Sequence, residues 1–388
     1  MSVETITMGC RLNFAESETI ARTAPAGEDW IVVNSCAVTN EAVRQTRQAI
    51  RRAHRQRPDA RILVTGCAAE LDPATFSTMP GVTRVVGNSS KLNSLAANDV
   101  MPPVPSGFMG HVRSFVAVQT GCDHRCTFCS IWQARGPSVS LSFDAIRDAV
   151  ARELDRGAAE IVLTGVDITD YDGGLGRLCQ RLLAAEPRLT RLRLSSLDSI
   201  EIDDALFELI AGEPRLMSHF HLSLQSGDDM ILKRMKRRHS RAEAVRAVER
   251  IKVVRADATI GADLIAGFPT ETEDMALNTL KLIEDCEIIA AHVFPFSPRP
   301  TTPAARMPQL PRELVKARAS RLRQAAAHRR KRWLNSLSGT VQPVLIENNA
   351  KGHSDSFAPV IIAGSKRGDA GQARITSSDG STLMAVWA

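Results

Sequence analysis

The sequence predicts an α/β protein in three parts: an N-terminal open parallel α/β sheet, a central partial (β/α)6 barrel of the TIM type, and a small C-terminal β-barrel. Three observations predict it. Short apolar runs alternate with helix-periodic stretches over the first hundred residues, the pattern of an open parallel sheet. Six further strand–helix units fill the next two hundred. After Asn335 the texture changes to short strands broken by turn residues.

The elements follow in order. ETITM, WIVVN, RILVT and TRVVG read as short buried strands of the first part. MPPVPSG, residues 101 to 107, reads as a linker. RSFVAVQT (113–120), EIVLTG (160–165), RLRLSS (191–196), HFHLSLQ (219–225), ATIGADLIAG (258–267) and AHVFPFS (291–297) form the second series, whose working face is expected at the C-terminal strand ends. A Pro-rich loop (295–311) leads to a basic helix. GTVQPVLIENNA, FAPVIIAG, QARITSSDG and STLMAVW supply the small barrel. The expected domains are 1–100, 111–336 and 337–388.

Composition sets the class. A chain of 388 residues exceeds one ordinary core. It is 44% hydrophobic and 24% charged, a globular balance. No eighteen-residue apolar run is present, so no membrane span is expected. MSVETITMGC lacks the basic and apolar regions of a secretory signal. A cytoplasmic location is expected, where thiols stay reduced, so the eight cysteines read as ligands or core residues. The net charge is +6 and the pI about 9.0, a mild bias toward polyanions. Three basic runs sharpen it: residues 44–57, 233–241 and 312–332. Each alone reads as a solvated helix face; together they make a nucleic-acid surface an even choice.

QTGCDHRCTFCSIWQARG, residues 119–136, carries Cys122, Cys126 and Cys129 directly after a predicted strand. Zinc sites usually show two ligand pairs, and no second pair is nearby. An iron–sulfur cube normally takes four thiolates, so three leave one iron open. The amino and carboxylate groups of S-adenosylmethionine can chelate such an iron, and one electron from the cluster can then cleave the sulfonium bond. Phe128 can shield the cluster from water. At other strand ends, Gly165 lets backbone approach a ligand, while Asp167, Ser196 and Gln225 can meet an amino group or ribose; turn or cap roles suit each equally.

Cys10, Cys36 and Cys67 each directly follow a predicted strand. In a parallel sheet the C-terminal strand ends share one edge, so these three meet in space. No G-x-G-x-x-G accompanies them, which argues against a dinucleotide domain. Asn13 and Glu16 have the spacing of a helix capping box. Cys179 and Cys286 sit in helix-like stretches and read as core.

C-x3-C-x-aromatic-C at the first strand of a partial barrel resembles the radical S-adenosylmethionine enzymes. TMGCRLNFAESE, NSCAVTNEA, VTGCAAE, GCDHRCTFC, LTGVDI, HLSLQSGDD, GFPTETED and HVFPFSPRPTTPA, in that order, resemble the methylthiotransferases within them. The C-terminal fifty residues are similar, more weakly, to their TRAM domain. CAVTNEA and HLSLQSGDDMILKRM look nearest to the enzymes that modify N6-threonylcarbamoyladenosine next to the tRNA anticodon. The resemblance implies two [4Fe–4S] clusters, a radical one on Cys122, Cys126 and Cys129 and an auxiliary one on Cys10, Cys36 and Cys67. It implies S-adenosylmethionine as cosubstrate and replacement of the adenine C2 hydrogen by a methylthio group. It also implies binding of a tRNA anticodon stem-loop and an electron donor such as flavodoxin or ferredoxin, and it leaves the sulfur donor open. Trp132-Gln133 and Pro137 depart from the family's usual loop, which retains Arg135 and Gly136 here. Arg135 is the residue offered to the substrate carboxylate, beside a salt-bridge or phosphate role. Isopentenyladenosine tRNA or a ribosomal protein are the alternative substrates. A non-catalytic, metal-stabilised RNA-binding protein is the alternative of another class.

Overall fold

The structure, a computed structural model, describes residues 3–24, 29–95, 104–107 and 111–388. The N-terminal part is a four-stranded parallel sheet in sequential order: β1 (Glu4–Thr7), β2 (Trp30–Ser35), β3 (Arg61–Gly66) and β4 (Val82–Val85). α1 (Arg11–Thr23) and α2 (Asn40–Gln56) join the first three strands. β2 is buried along its whole length because both its faces are covered. Ile31 and Val33 pack with Ile50 of α2, whereas Val32 packs with Ile20 of α1.

The central part holds six parallel strands: β5 (Arg113–Ala117), β6 (Glu160–Thr164), β7 (Leu192–Leu194), β8 (His219–Gln225), β9 (Thr259–Ala266) and β10 (Ile288–Pro295). Only isolated bridges, such as Leu197 to Leu222, join β7 to β8. The helix α3 (Arg312–Ser336) packs along β10 and β9. One apolar core runs through the six strands and their helices.

The C-terminal part is a closed barrel of β11 (Val341–Asn348), β12 (Lys351–Ser354), β13 (Pro359–Ile362), β14 (Ala370–Ser378) and β15 (Leu383–Trp387). Its sequence announces every strand but β12, whose KGHS carries no apolar side chain. Its 355–357 loop enters the floor of the large barrel. Ser356 O accepts from Thr259 at 2.7 Å, and the Phe357 ring stacks between His219 and His353. Phe357 holds φ at +70°, a costly conformation for a bulky residue that the surrounding contacts must enforce.

Two expectations change. The linker's residues 101–103 lie outside the described residues. Residues 104–107 do not behave as a linker: Ser106–Gly107 is a buried strand paired with Phe115 and Val116. Four arginines of the basic helix α3 are matched by barrel carboxylates. Arg318 meets Glu271 at 2.8 Å, Arg321 meets Glu273 at 2.5 Å, Arg329 meets Glu287 at 3.1 Å and Arg332 meets Glu284 at 2.5 Å. On α2, by contrast, Arg51, Arg52 and Arg55 are exposed with no ion pair among the described residues.

Candidate active site

The loop after β5 carries Cys122, Cys126 and Cys129 at the C-terminal strand ends. Gly121 starts it at φ +78°, where an added Cβ would collide with Pro137 O. Thr127 anchors the middle: its N–H donates to Met235 O at 3.0 Å and its O accepts from Ala304 at 2.9 Å. Phe128 packs into a separate apolar cluster with Ile265 and Phe268, which pins the loop. Arg237 donates to Cys126 Sγ at 3.8 Å and to Asp198 at 2.8 Å. Burial, followed by the charge of Asp167, pushes the Cys122 thiol up to about 12, and burial pushes Cys129 up to about 11.

Cys10, Cys36 and Cys67 follow β1, β2 and β3 at one sheet edge. Cys36 and Cys67 are buried and Cys10 is exposed. Gly9, at φ +90°, lets the first chain segment pass Cys36; a Cβ there would stand 2.6 Å from Cys36 Sγ. Burial pushes Cys36 up to about 11. Raised thiols must lose protons to bind metal, so cluster assembly is coupled to proton release.

Two arginines tie the surroundings of the triads together. Arg299, from the loop after β10, donates to Ala37 O beside Cys36 and to Asn40 Oδ1. Arg135, just after the Cys122–Cys129 loop, donates to Asn13 and Glu16 of the helix that follows Cys10. The sheet edge and the barrel mouth therefore face each other. Among the described residues, no three of these thiols close to within 4.8 Å, as the ligands of one ion would. Cys122 also has ligand atoms of His124 and Asp167 within 4.8 Å, and three soft thiols in each group fit an iron–sulfur cluster with one open iron. Cys179 and Cys286 lie in the barrel core.

Arg135 requires a correction. It is not available to a substrate carboxylate, because its side chain is 2% exposed and bound within the protein. It donates to Glu16 at 2.8 and 3.0 Å, to Asn13 at 2.6 Å and to Thr120 at 3.2 Å. Asn13 and Glu16 likewise form no capping box. Cys10 is the N-cap and has no side-chain cap bond, while both residues turn inward to Arg135. At Gly165 a Cβ would stand 2.8 Å from Gln119 O and from Ile168, so the protein itself requires glycine there. Asp167 is raised by burial, with His124 Nε2 at 3.4 Å acting against that and Thr169 Oγ1 at 3.0 Å. Ser196 and Gln225 are half-buried at the rim, and their side chains have no hydrogen-bond partner among the described residues.

Sequence reasoning missed Gln119, His124, Arg237 and Arg299. Gln119 ties the cysteine loop to the 165–167 turn, donating to Gly121 O and accepting from Asp167 N at 2.9 Å. Arg299 lies inside the quoted HVFPFSPRPTTPA stretch, which was the available signal. In the departing loop, Trp132 sits under Arg125 at 5.2 Å and Gln133 donates to Thr301 O at 3.4 Å.

Comparisons with known proteins agree with this geometry. Residues 116–283 match the radical SAM superfamily, and residues 2–87 match a family described as the uncharacterized protein family UPF0004. The chain is 45% identical over 380 residues to the threonylcarbamoyladenosine tRNA methylthiotransferase MtaB of Rickettsia prowazekii (strain Madrid E), covering 92% of this chain and 90% of that protein. It is 31% identical over 384 residues to the tRNA-2-methylthio-N(6)-dimethylallyladenosine synthase of Erythrobacter litoralis (strain HTCC2594), covering 88% and 86%. The solved radical S-adenosylmethionine methyltransferase TsrM from Kitasatospora setae shares the fold, with TM-score 0.55 at 16% identity over 75% of this chain and 66% of that one.

Proposed function

The chain belongs to the radical S-adenosylmethionine methylthiotransferases that act on threonylcarbamoyladenosine in tRNA, and from that membership we propose a division of labour among its own residues. Cys122, Cys126 and Cys129 would hold one [4Fe–4S] cluster, with S-adenosylmethionine on its open iron, and Cys10, Cys36 and Cys67 a second. Bound there, these groups supply reductive radical chemistry and sulfur transfer at C2 of the adenine beside the anticodon. The observation that carries this reading is the pair of triads from separate parts of the fold, joined by Arg135, which bonds Asn13 and Glu16 just past Cys10, and by Arg299, which bonds Ala37 O beside Cys36.

The chain's residues hold and screen the reacting groups. Arg237 donates toward Cys126 and stabilises negative charge on it. Phe128 and its apolar neighbours keep water from one side of the cysteine loop. Ser196 and Gln225, whose side chains have no hydrogen-bond partner among the described residues, and Asp167 would meet the amino group or ribose of S-adenosylmethionine. Arg51, Arg52 and Arg55 on α2 would meet phosphates of the anticodon stem-loop, contacts that position without reading sequence. Flavodoxin or ferredoxin is the class of electron donor proposed. The proposed domains are 1–100, 111–336 and 337–388. Among the described residues no helix is long and apolar enough to cross a membrane.

The test is a nucleoside profile of tRNA from cells with and without this protein. Loss of the methylthio form of threonylcarbamoyladenosine is expected. A change confined to the dimethylallyl nucleoside would move the substrate to that of the Erythrobacter relative. An unchanged tRNA profile with loss of a ribosomal-protein thiomethyl group would reject the RNA substrate altogether. Purified protein with stoichiometric zinc and no labile sulfide would reject the catalytic reading.

A further inference from the structure

A threonylcarbamoyl group brings a carboxylate, and burying one without a cationic partner is costly. Arg135 is already spent on Glu16, so the partner must lie elsewhere. We propose that a cationic cavity inside the barrel, anchored by Arg11, receives this carboxylate; the inference rests on the substrate reading above.

The cavity, of about 310 Å³, is lined by Arg11, Arg193, His219, His221, His292 and Arg330 among others, with no acidic residue. Most barrel arginines there have found partners. Arg193 donates to Glu160 at 2.9 Å, and Arg113 to Glu347 at 2.7 Å. Arg11 has not. Among the described residues its guanidinium makes no hydrogen bond or ion pair; it lies 5.9 Å from the Phe115 ring, and Glu160 and Asp263 act on it only at longer range. Arg330 has no ion pair among them either. An unpaired guanidinium at a cavity wall is suited to take a planar carboxylate by two parallel hydrogen bonds.

Position supports the assignment. Arg11 opens α1 and is the residue after Cys10, so one wall of the cavity is carried by the segment that bears the first thiol of the auxiliary triad. The threonylcarbamoyl group leaves the adenine at N6, across the ring from the C2 side. A base with C2 held between the two triads therefore projects its carboxylate several bonds away from them. Two imidazoles are preset beside Arg11: Asp263 Oδ1 meets His221 Nε2 at 3.0 Å and His292 Nδ1 at 3.2 Å. That leaves Nε2 of His292 without a hydrogen-bond partner among the described residues. Gly261 makes the room, since a Cβ there would stand 2.5 Å from His221 Nδ1.

Two other ligands share parts of this chemistry. His221, Asp263 and His292 lie within 4.8 Å of one another and have the donor set of a metal site. Arg11, Arg193, Arg323 and Arg330 line the same cavity, and that field opposes a divalent cation and favours an anion. The carboxylate of S-adenosylmethionine is the second possible source of the same chemistry, and the test separates it.

Reconstituted enzyme is assayed with two anticodon stem-loops, one bearing threonylcarbamoyladenosine and one with its carboxylate converted to a carboxamide. Wild type should prefer the acid roughly 10- to 100-fold in KM, the range for a hydrogen bond to a charged group. Arg11→Gln should bring that preference close to one by raising KM for the acid alone, and Arg11→Lys should restore part of it. Should Arg11→Gln fail to assemble its iron, Arg330→Gln is the second variant, expected to lower the preference in part. Full retention of the preference in whichever variant assembles would overturn the inference. So would a fall in S-adenosylmethionine affinity with the acid preference intact, which would assign the cavity to that carboxylate. Absence of product from wild type on the acid would strike the substrate reading itself, a different result from a productive enzyme whose preference ignores Arg11.

Discussion

Glu16→Gln should loosen the N-terminal sheet from the barrel. The Glu16 carboxylate, on α1, receives Arg135 at 2.8 and 3.0 Å and also Lys91. The side chains of Glu16, Arg135 and Lys91 are 5%, 2% and 2% exposed. Burial alone would raise the Glu16 carboxyl, but Arg135 and then Lys91 outweigh it and hold it at about 2. Burial, followed by the like charge of Arg135, meanwhile lowers Lys91. Removing the carboxylate charge leaves two buried cations facing an amide, a loss of about 3–5 kcal/mol. The sign with pH follows. The folded value lies below the unfolded 4.5, so the contribution is complete above about 4.5 and is lost as pH falls toward 2. The gap between wild type and Glu16→Gln should thus be roughly 2 kcal/mol narrower at pH 3 than at pH 7. Urea unfolding of both proteins, followed by tryptophan fluorescence at the two pH values, measures it. Equal midpoints at pH 7, or a gap that does not narrow on acidification, would refute the assignment of this network as the tie between the two parts.

Other predictions follow from separate features. Anaerobically reconstituted protein should hold about eight iron atoms, four per cluster; Gly9→Ala, whose new Cβ meets Cys36 Sγ, should leave about half, as should replacing Cys122, Cys126 and Cys129 together by Ala. Iron analysis decides, and full iron in Gly9→Ala would show that the Cys36 approach is not needed. Arg51→Glu with Arg52→Glu should weaken tRNA binding and flatten its salt slope by about one unit per lost phosphate contact. Arg321→Gln on α3 should leave that slope unchanged, because its charge is already matched by Glu273; equal slopes in all three proteins would remove α2 from the interface. Phe357→Ala should lower stability by roughly 2–3 kcal/mol through loss of two ring stacks and two arginine–ring contacts, read as a shifted urea midpoint.

Whatever depends on local pattern was readable from the chain. The apolar runs of β2 and β3 announce strands because both faces are covered, and the six predicted barrel strands appear within a few residues of their expected places. Cys122, Cys126 and Cys129 lie within eight positions, so their grouping needs no tertiary argument. Cys10, Cys36 and Cys67 could be brought together because a parallel sheet aligns its strand ends, a rule of topology. Partnership between distant side chains was not readable. Arg135 lies 119 residues from Glu16, and only the packing of α1 against the barrel decides that its fork closes on that carboxylate rather than on a ligand. The charge run of α3 resembled a phosphate-binding face until the barrel helices supplied its counter-ions. Arg11 was only one letter of TMGCRLNFAESE in the sequence, and the fold left it as an unpaired cation at a cavity wall, one residue past Cys10. Charge and residue type are properties of the sequence, but whether a charge is spent or free depends on which groups the fold places within hydrogen-bond reach and on how little water remains to compete for them.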